Sequence, residues 1–168
     1  MVPAKSRLQI LFLISGLGVF SAASAVFVSA PVMMGDEKKS AEPWTSAQIV
    51  QPAELVKELA DKTATPPTIV YVGFRTLFAG GHIPGATFYG TASTEQGLAD
   101  LKKWAEALSR TTNLVIYCGC CPFEKCPNIR PAFTALNNMG FKNLRVLALP
   151  TSFAADWAEK GYPVQKGM

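Results

Sequence analysis

Three short runs of apolar, β-branched and aromatic residues constrain the fold of this chain more than any other feature. Each run has the length and composition of a buried strand; they cover residues 68–74, 112–118 and 143–149. Amphipathic segments typical of helices lie beside them, over 53–61, 94–110, 130–140 and 151–161. Strands that alternate with helices predict an α/β domain whose parallel sheet is covered on both faces.

The N-terminal region differs from the rest, because Lys5 and Arg7 are its only charged residues before Asp36. A basic start followed by an apolar stretch, with small residues at Ala23 and Ala25, predicts a signal peptide over residues 1–25.

The alternative is an uncleaved anchor over residues 8–30, since that apolar run is long enough to cross a bilayer. This alternative would attach the protein to a membrane. Both interpretations keep the basic end inside, so we expect an exported protein, periplasmic or otherwise extracytoplasmic. Residues 26–45 are then a polar linker, and residues 46–168 form the folded domain.

The charge distribution argues against nucleic-acid binding. The 168 residues carry a net charge of only +4, and the sequence contains no run of Lys and Arg. A nucleic-acid surface is normally marked by such a basic patch, so we expect no nucleic-acid partner.

All four cysteines cluster within nine residues, at Cys118, Cys120, Cys121 and Cys126. Cys118 ends the second predicted strand and precedes a loop that leads into a helix. At the carboxyl end of a parallel strand, loop N–H groups and the next helix N-terminus favour an anion. Such a position lowers the pKa of a thiol and makes it nucleophilic. We therefore predict that Cys118 is the catalytic nucleophile.

Around this loop the chain resembles the rhodanese-like (sulfurtransferase) domain family. The motifs are "GGHIPGA" (Gly80–Ala86), "LVIYC" with its loop and "AFTALNNMGF", and "FAADWAEKGYPV" (Phe153–Val164). The resemblance covers residues 49–166 and implies a parallel five-stranded sheet flanked by helices. It also implies that a loop cysteine takes sulfur from a small donor, holds it as a persulfide and passes it to a thiophilic acceptor. No cofactor is implied, and the nucleophile falls on Cys118.

The active-site loop is longer than the C-x-x-G-x-R pattern of that family. Counting back from Gly140 at the end of the following helix places the nucleophile closest to Cys121, which is the second choice. Arg130 does not have the family's spacing from Cys118. The residues predicted to form the substrate loop are Gly119, Pro122, Phe123, Glu124, Lys125 and Arg130.

The strand before the "GHIPGA" turn also departs from the family. Tyr71 and Gly73 stand where the family often has the Asp and Arg of an Asp-Val-Arg sequence. Arg75 is the candidate to replace that arginine's structural role. The single histidine, His82, lies in the turn, where the resemblance implies a structural role.

The other three cysteines are not explained by the family pattern. We assign Cys120, Cys121 and Cys126 an auxiliary role, in which one of them attacks an oxidised or persulfidated Cys118 and leaves a disulfide. Cys126 lies far enough along the loop to reach back.

A non-enzymatic module is the alternative function, with all four cysteines holding a soft metal such as Cu(I) or serving thiol–disulfide chemistry. The primary interpretation contains no metal. The C-x-C-C-x4-C spacing disfavours zinc, because it lacks the paired C-x2-C arrangement. A phosphatase-type loop is disfavoured as well, since Glu124 and Pro127 occupy the positions where a closing arginine would be needed.

Overall fold

The computed structural model of the protein describes residues 42–168. The signal peptide predicted over 1–25, the alternative anchor over 8–30 and most of the predicted linker lie outside the described residues. None of the helices between residues 42 and 168 has the length and apolar character that a bilayer crossing requires.

Strands and helices alternate along the described chain, as the sequence predicts. The strands are β1 (Ile49–Val50), β2 (Thr68–Tyr71), β3 (Thr87–Phe88), β4 (Asn113–Tyr117) and β5 (Asn143–Leu147). The α-helices are α1 (Pro52–Ala60), α2 (Arg75–Gly80), α3 (Glu95–Glu106) and α4 (Ile129–Asn138). Single turns of 3₁₀ helix occur at Ser46–Gln48 and Phe123–Lys125, and a π-helical turn occurs at Ala154–Ala158.

The five strands form one parallel sheet in the order β1-β5-β4-β2-β3. Strand β4 lies at the centre, where Ile116 pairs with Val146 of β5 on one side and Val70 of β2 on the other. The predicted parallel five-stranded sheet flanked by helices is confirmed. The central position of β4 brings the loop after it to the middle of the sheet's carboxyl edge.

Apolar side chains fill the space on both faces of the sheet. Ile116 belongs to a cluster that includes Leu101 of α3 and Phe133 of α4. Its neighbour Val115 belongs to a second cluster, with Leu55 of α1. Alternate residues of β4 thus face opposite layers, which explains why the strand is apolar without a break.

Three local features differ from the prediction. Strand β2 ends at Tyr71 rather than at residue 74, because the chain turns at Gly73 and enters the unpredicted helix α2. The helix predicted over 151–161 is instead the π-helical turn at Ala154–Ala158. Strands β1 and β3 have two residues each, too few to give a periodic signal.

His82 is buried, and its side chain and backbone both contact neighbouring segments, as expected for a residue with a structural role. Its ring stacks on that of Phe78 at a centroid distance of 3.8 Å, and its Nδ1 lies 2.8 Å from the Phe78 carbonyl oxygen. Its backbone forms an antiparallel bridge with Gln165. The "GHIPGA" turn is thereby attached to the C-terminal segment.

Candidate active site

The cysteine-rich loop begins directly after β4 and is held at both ends. Gly119 has a φ of 71°, and its carbonyl oxygen accepts a hydrogen bond from the Phe153 N–H at 3.0 Å. A Cβ at Gly119 would lie 2.6 Å from the Cβ of Phe153, so this close approach requires glycine. Further along, the Phe123 N–H donates to the Leu149 carbonyl at 3.2 Å. The loop therefore lies against the segment that follows β5.

The four thiols are free, and three of them lie together. The Sγ atoms of Cys118, Cys120 and Cys126 are all within 4.8 Å of one another. The Cys118 and Cys120 sulfurs are 3.1 Å apart, and the Cys121 sulfur is 3.3 Å from that of Cys120. The fold thus brings Cys126 back to Cys118 across the expanded loop, although seven residues lie between them in sequence.

Asn128 connects this sulfur cluster to the helix side of the site. Its side chain is fully buried, and its amide Nδ2 lies 3.4 Å from the Cys118 sulfur and 3.7 Å from the Cys120 sulfur. Its Oδ1 accepts a hydrogen bond from the Ser93 N–H at 2.9 Å. The hydrogen bond from the Ser93 N–H fixes the orientation of the Asn128 amide, so its NH₂ group is directed at the sulfurs of Cys118 and Cys120.

Within the cluster the pKa is lowered at Cys126 and raised at Cys118. The neighbouring Cys118 thiol and the backbone N–H groups of Asn128 and Ile129 lower the pKa of Cys126 to about 5. The interaction with Cys126, together with burial, raises the pKa of Cys118 above its usual range. The sequence predicted a low pKa at Cys118. The prediction was wrong because Cys126, not Cys118, lies just before the N-terminus of α4.

Cys121, the second choice for nucleophile, has a different environment. Burial and the adjacent Cys120 raise the pKa of Cys121 to about 12, so this thiol keeps its proton at neutral pH. The Cys121 sulfur lies 3.3 Å from that of Cys120 and also interacts with Cys126, but it is not one of the three sulfurs that converge within 4.8 Å.

A cavity of about 460 Å³ opens beside the cluster and is lined by Cys118, Gly119 and Cys120. The C-terminal segment closes it with Phe153, Val164 and other apolar side chains. Its polar lining comes from the side chains of Tyr71, Thr76, Ser152 and Lys166. A small molecule in this cavity would contact the sulfurs of Cys118 and Cys120.

Tyr71 supplies a buried hydroxyl next to Cys118. This hydroxyl has no hydrogen-bond partner among residues 42–168. Burial, and then the nearby Cys118 and Cys120 sulfurs, raise the pKa of Tyr71 far above its usual value, so the hydroxyl stays protonated. A Cβ at Gly73 would lie 2.5 Å from the Tyr71 oxygen and 2.7 Å from the Cys118 sulfur. The two departures from the family pattern therefore belong together, since glycine at 73 leaves room for the tyrosine hydroxyl beside the sulfur.

The predicted substrate loop is only partly assembled at the cavity. Pro122, Glu124 and Lys125 are exposed, and the Phe123 ring packs on Trp44 at a centroid distance of 5.3 Å. Gly119 is the member of the predicted set that lines the cavity.

The two candidate arginines, Arg130 and Arg75, contact other parts of the structure. Arg130 lies in α4, where its guanidinium pairs with Glu42 at 2.7 Å and also donates to the Cys126 carbonyl at 3.3 Å. Arg75 begins α2, and its guanidinium lies 5.5 Å from the centre of the Phe88 ring.

Three contributors to the site were missed by the sequence analysis. Asn128 precedes a helix and has the residue type of an N-cap, but its contact with sulfur has no sequence signal. Tyr71 was noted only as a departure from a motif. Lys166 reaches the cavity from the C-terminal tail, which no local pattern could indicate.

Solved structures with the same fold were found for this chain. The rhodanese-like domain of the Alr3790 protein of Anabaena sp. has a TM-score of 0.52 and 22% identity, over 71% of this chain and 79% of that one. The BH2092 protein of Bacillus halodurans has a TM-score of 0.54 and 18% identity, over 70% and 75%. Thiosulfate sulfurtransferase of Pseudomonas aeruginosa has a TM-score of 0.51 and 21% identity, over 71% of this chain but only 19% of that enzyme.

No protein-family model matches the sequence, and no curated protein matches it. The structural likeness, at these identities, concerns the fold. The three motifs that suggested the family lie in the turn at His82, in β4 with its loop and helix α4, and around the π-helical turn. Residues 42–168 therefore have the fold of rhodanese-like domains.

Proposed function

We propose that this chain is a sulfurtransferase in which Cys118 carries a sulfane sulfur as a persulfide. The observation that supports it best is the position of the Cys118 sulfur, which follows the central strand and lines the cavity. Ligands of open parallel sheets bind at this edge. One solved structure of the same fold is named a thiosulfate sulfurtransferase, and the proposal extends that class of activity to this chain.

The reaction has two displacement steps. The Cys118 thiolate attacks the outer sulfur of a donor such as thiosulfate, and the donor's S–S bond breaks with its electron pair leaving on sulfite. The new S–S bond makes Cys118 a persulfide. A thiophilic acceptor such as cyanide then attacks the outer sulfur, leaves as thiocyanate and returns the electron pair to the Cys118 thiolate.

The chain's own groups assist both steps. The Cys118 and Cys126 sulfurs lie within 4.8 Å of each other and share one negative charge, so the attacking Cys118 thiolate is the minor form of this pair, and it is consumed by the donor as it forms. The Asn128 amide donates toward the Cys118 sulfur at 3.4 Å. The Tyr71 hydroxyl, which has no partner among the described residues, supplies a second donor for the persulfide or for the bound donor molecule.

The cavity indicates the size and charge of the donor. Its apolar lining, with Lys166 as its cationic side chain, suits a small sulfur donor with a single anionic group better than a large, highly charged one. We also propose that the protein acts outside the cytoplasm, on the basis of the N-terminal sequence. The intact mass of the exported protein would report whether residues 1–25 are removed.

A matched pair of variants tests the assignment of the nucleophile. We expect Cys118→Ser to abolish thiocyanate formation from thiosulfate and cyanide, while Cys121→Ser retains it. Loss of activity in Cys121→Ser with retention in Cys118→Ser would overturn the assignment. Absence of sulfur transfer with thiosulfate and with alkyl persulfides in the unmodified, reduced chain would overturn the proposed function.

A further inference from the structure

The sulfur cluster has a second capability that does not depend on sulfur transfer. Three cysteine sulfurs converge within 4.8 Å in a buried position, and sulfur transfer needs only one of them as carrier. Cys118 and Cys126 are each only 2% exposed, so their sulfurs are largely removed from water. Three soft sulfur donors this close together are an arrangement typical of metal ligands.

We propose that Cys118, Cys120 and Cys126 form a three-coordinate thiolate site for monovalent copper. A metal–sulfur bond of about 2.3 Å, the length seen in zinc–thiolate sites, puts three trigonal sulfurs about 4 Å apart. The three sulfurs of this cluster already lie in that range, at 3.1 Å for Cys118 and Cys120 and within 4.8 Å overall. Small side-chain rotations would equalise the three distances.

The ligand set selects the metal. Within residues 42–168 the cluster contains sulfur ligands alone, and the single histidine is hydrogen-bonded to Phe78 in another part of the fold. Soft thiolates favour Cu(I), zinc and iron–sulfur clusters over hard cations. Structural zinc and iron–sulfur clusters need four protein ligands, whereas Cys121 lies outside the group of three. Three thiolates without a fourth ligand therefore match Cu(I).

The surroundings suit the charge that such a site would carry. Cu(I) displaces the remaining thiol protons to solvent, so three thiolates around one monovalent ion leave a net negative charge. The buried Asn128 amide is directed at the sulfurs of Cys118 and Cys120. Cys126 lies just before the N-terminus of the ten-residue helix α4. Amide donors to sulfur and a helix N-terminus both stabilise metal-bound thiolates.

Access to the site is provided by the cavity. Cys118 and Cys120 line it, and Cys120 is only partly buried. A Cu(I) ion could therefore enter from the cavity side and be held first by Cys120, then by the two buried sulfurs. The same contacts would occupy the Cys118 sulfur, so copper and sulfane sulfur exclude each other at this residue.

The test is anaerobic competition between the reduced full-length protein and a chromogenic Cu(I) chelator, bicinchoninate. We expect one Cu(I) per chain. Serine at Cys118, Cys120 or Cys126 should weaken binding by more than about 100-fold, since loss of even an outer-shell partner weakens metal binding 10–100-fold. Cys121→Ser is the matched control and should bind within a few-fold of the unmodified chain. Equal loss in Cys121→Ser, or no loss in the other three, would overturn the proposal.

X-ray absorption of the copper-loaded, unmodified protein keeps the proposal falsifiable if a buried-cysteine variant does not fold. It should show three sulfur ligands and no nitrogen or oxygen. Failure to retain Cu(I), a two-sulfur site, or a preference for one Zn(II) that requires Cys121 would each contradict it. Because copper is measured without a sulfur donor and sulfur transfer is assayed with a chelator, either can fail without the other.

Discussion

The side-chain amide of Asn128 lies 3.4 Å from the sulfur of Cys118, although nine residues of the cysteine-rich loop lie between the two in sequence. The same amide contacts the Cys120 sulfur at 3.7 Å, while its oxygen accepts from the Ser93 N–H. Asn128 therefore links the end of β4, the start of α4 and the segment before α3. This single side chain sets the position of the sulfurs relative to the helix.

Replacing Asn128 with Asp should separate the contact with sulfur from the contact with the Ser93 N–H. Asp keeps an oxygen for the Ser93 N–H but replaces the donor to sulfur with a second acceptor. Hydrogen bonds to charged groups contribute about 1.5–3 kcal/mol, so we expect at least about a tenfold loss in the rate of sulfur transfer. The measurement is steady-state thiocyanate formation. Asn128→Ala is the comparison, since it also leaves the Ser93 N–H unpaired and should unfold at lower denaturant. An unchanged rate in Asn128→Asp would show that the contact has no role in transfer.

Tyr71→Phe should lower the rate of sulfur transfer without lowering stability. The tyrosine hydroxyl is buried and has no partner among residues 42–168, so its removal should leave the free energy of unfolding unchanged or raise it. If the hydroxyl donates to the bound donor or the persulfide, the rate of sulfur transfer should fall about tenfold. Chemical denaturation and the transfer assay report the two effects.

Tyr117→Phe is the control for that experiment. The Tyr117 hydroxyl accepts a hydrogen bond from the Ile83 N–H at 3.0 Å, so its loss leaves a buried donor unpaired. This should lower stability by about 1–3 kcal/mol. Equal stability losses in Tyr71→Phe and Tyr117→Phe would contradict our description of the Tyr71 hydroxyl.

Gly73→Ala should displace the nucleophile. The added Cβ would lie 2.5 Å from the Tyr71 oxygen and 2.7 Å from the Cys118 sulfur, so one of them must move. Overpacking of this kind costs about 1–3 kcal/mol of stability, and sulfur transfer should fall with it. Thermal unfolding measures the first effect. Gly80→Ala is the control for stability, since nothing lies within 4 Å of its added Cβ. Equal stability of the two alanine variants would contradict the predicted clash.

The pH dependence of thiolate formation tests the charge distribution in the cluster. The pKa of Cys126 is lowered to about 5, so in metal-free protein its thiolate should persist from neutral pH down to about pH 5 and be protonated below. The ultraviolet absorbance of thiolate reports this titration. Cys126→Ser should remove it. Cys121→Ser should keep it, because the pKa of Cys121 is raised to about 12. Titration of Cys126 near the usual thiol pKa of about 8.5 would disprove the assignment.

The sequence was sufficient for strands β2, β4 and β5 and for the position of Cys118 at the end of β4. The apolar residues from Leu114 to Tyr117 form an unbroken run, which is typical of a strand covered on both faces. The short strands and α2 were missed because two to six residues give no periodicity. β1 and β3 are the two edge strands of the sheet, and their positions are set by pairing with β5 and β2 rather than by a local pattern.

The chemistry of the loop could not be predicted from spacing alone. The sequence placed the anion-stabilising position at Cys118, because a strand end and a helix start usually follow one another closely. The loop of this protein is long enough to separate the end of β4 from the start of α4. Cys118 therefore stays at the strand end while Cys126 occupies the helix start, and the low pKa goes to Cys126. The proximity of the Cys118 and Cys126 sulfurs is visible only in the three-dimensional structure.

The central claim is that sulfane sulfur resides on Cys118, and peptide mass spectrometry tests it most directly. The reduced full-length protein is exposed to thiosulfate, its thiols and persulfides are alkylated, and it is digested with trypsin. The peptide spanning 111–125 contains Cys118, Cys120 and Cys121, whereas Cys126 falls in the next peptide. We expect fragmentation to place one additional sulfur atom on Cys118. Additional sulfur on Cys121 or Cys126 instead, or none on any cysteine, would contradict the account.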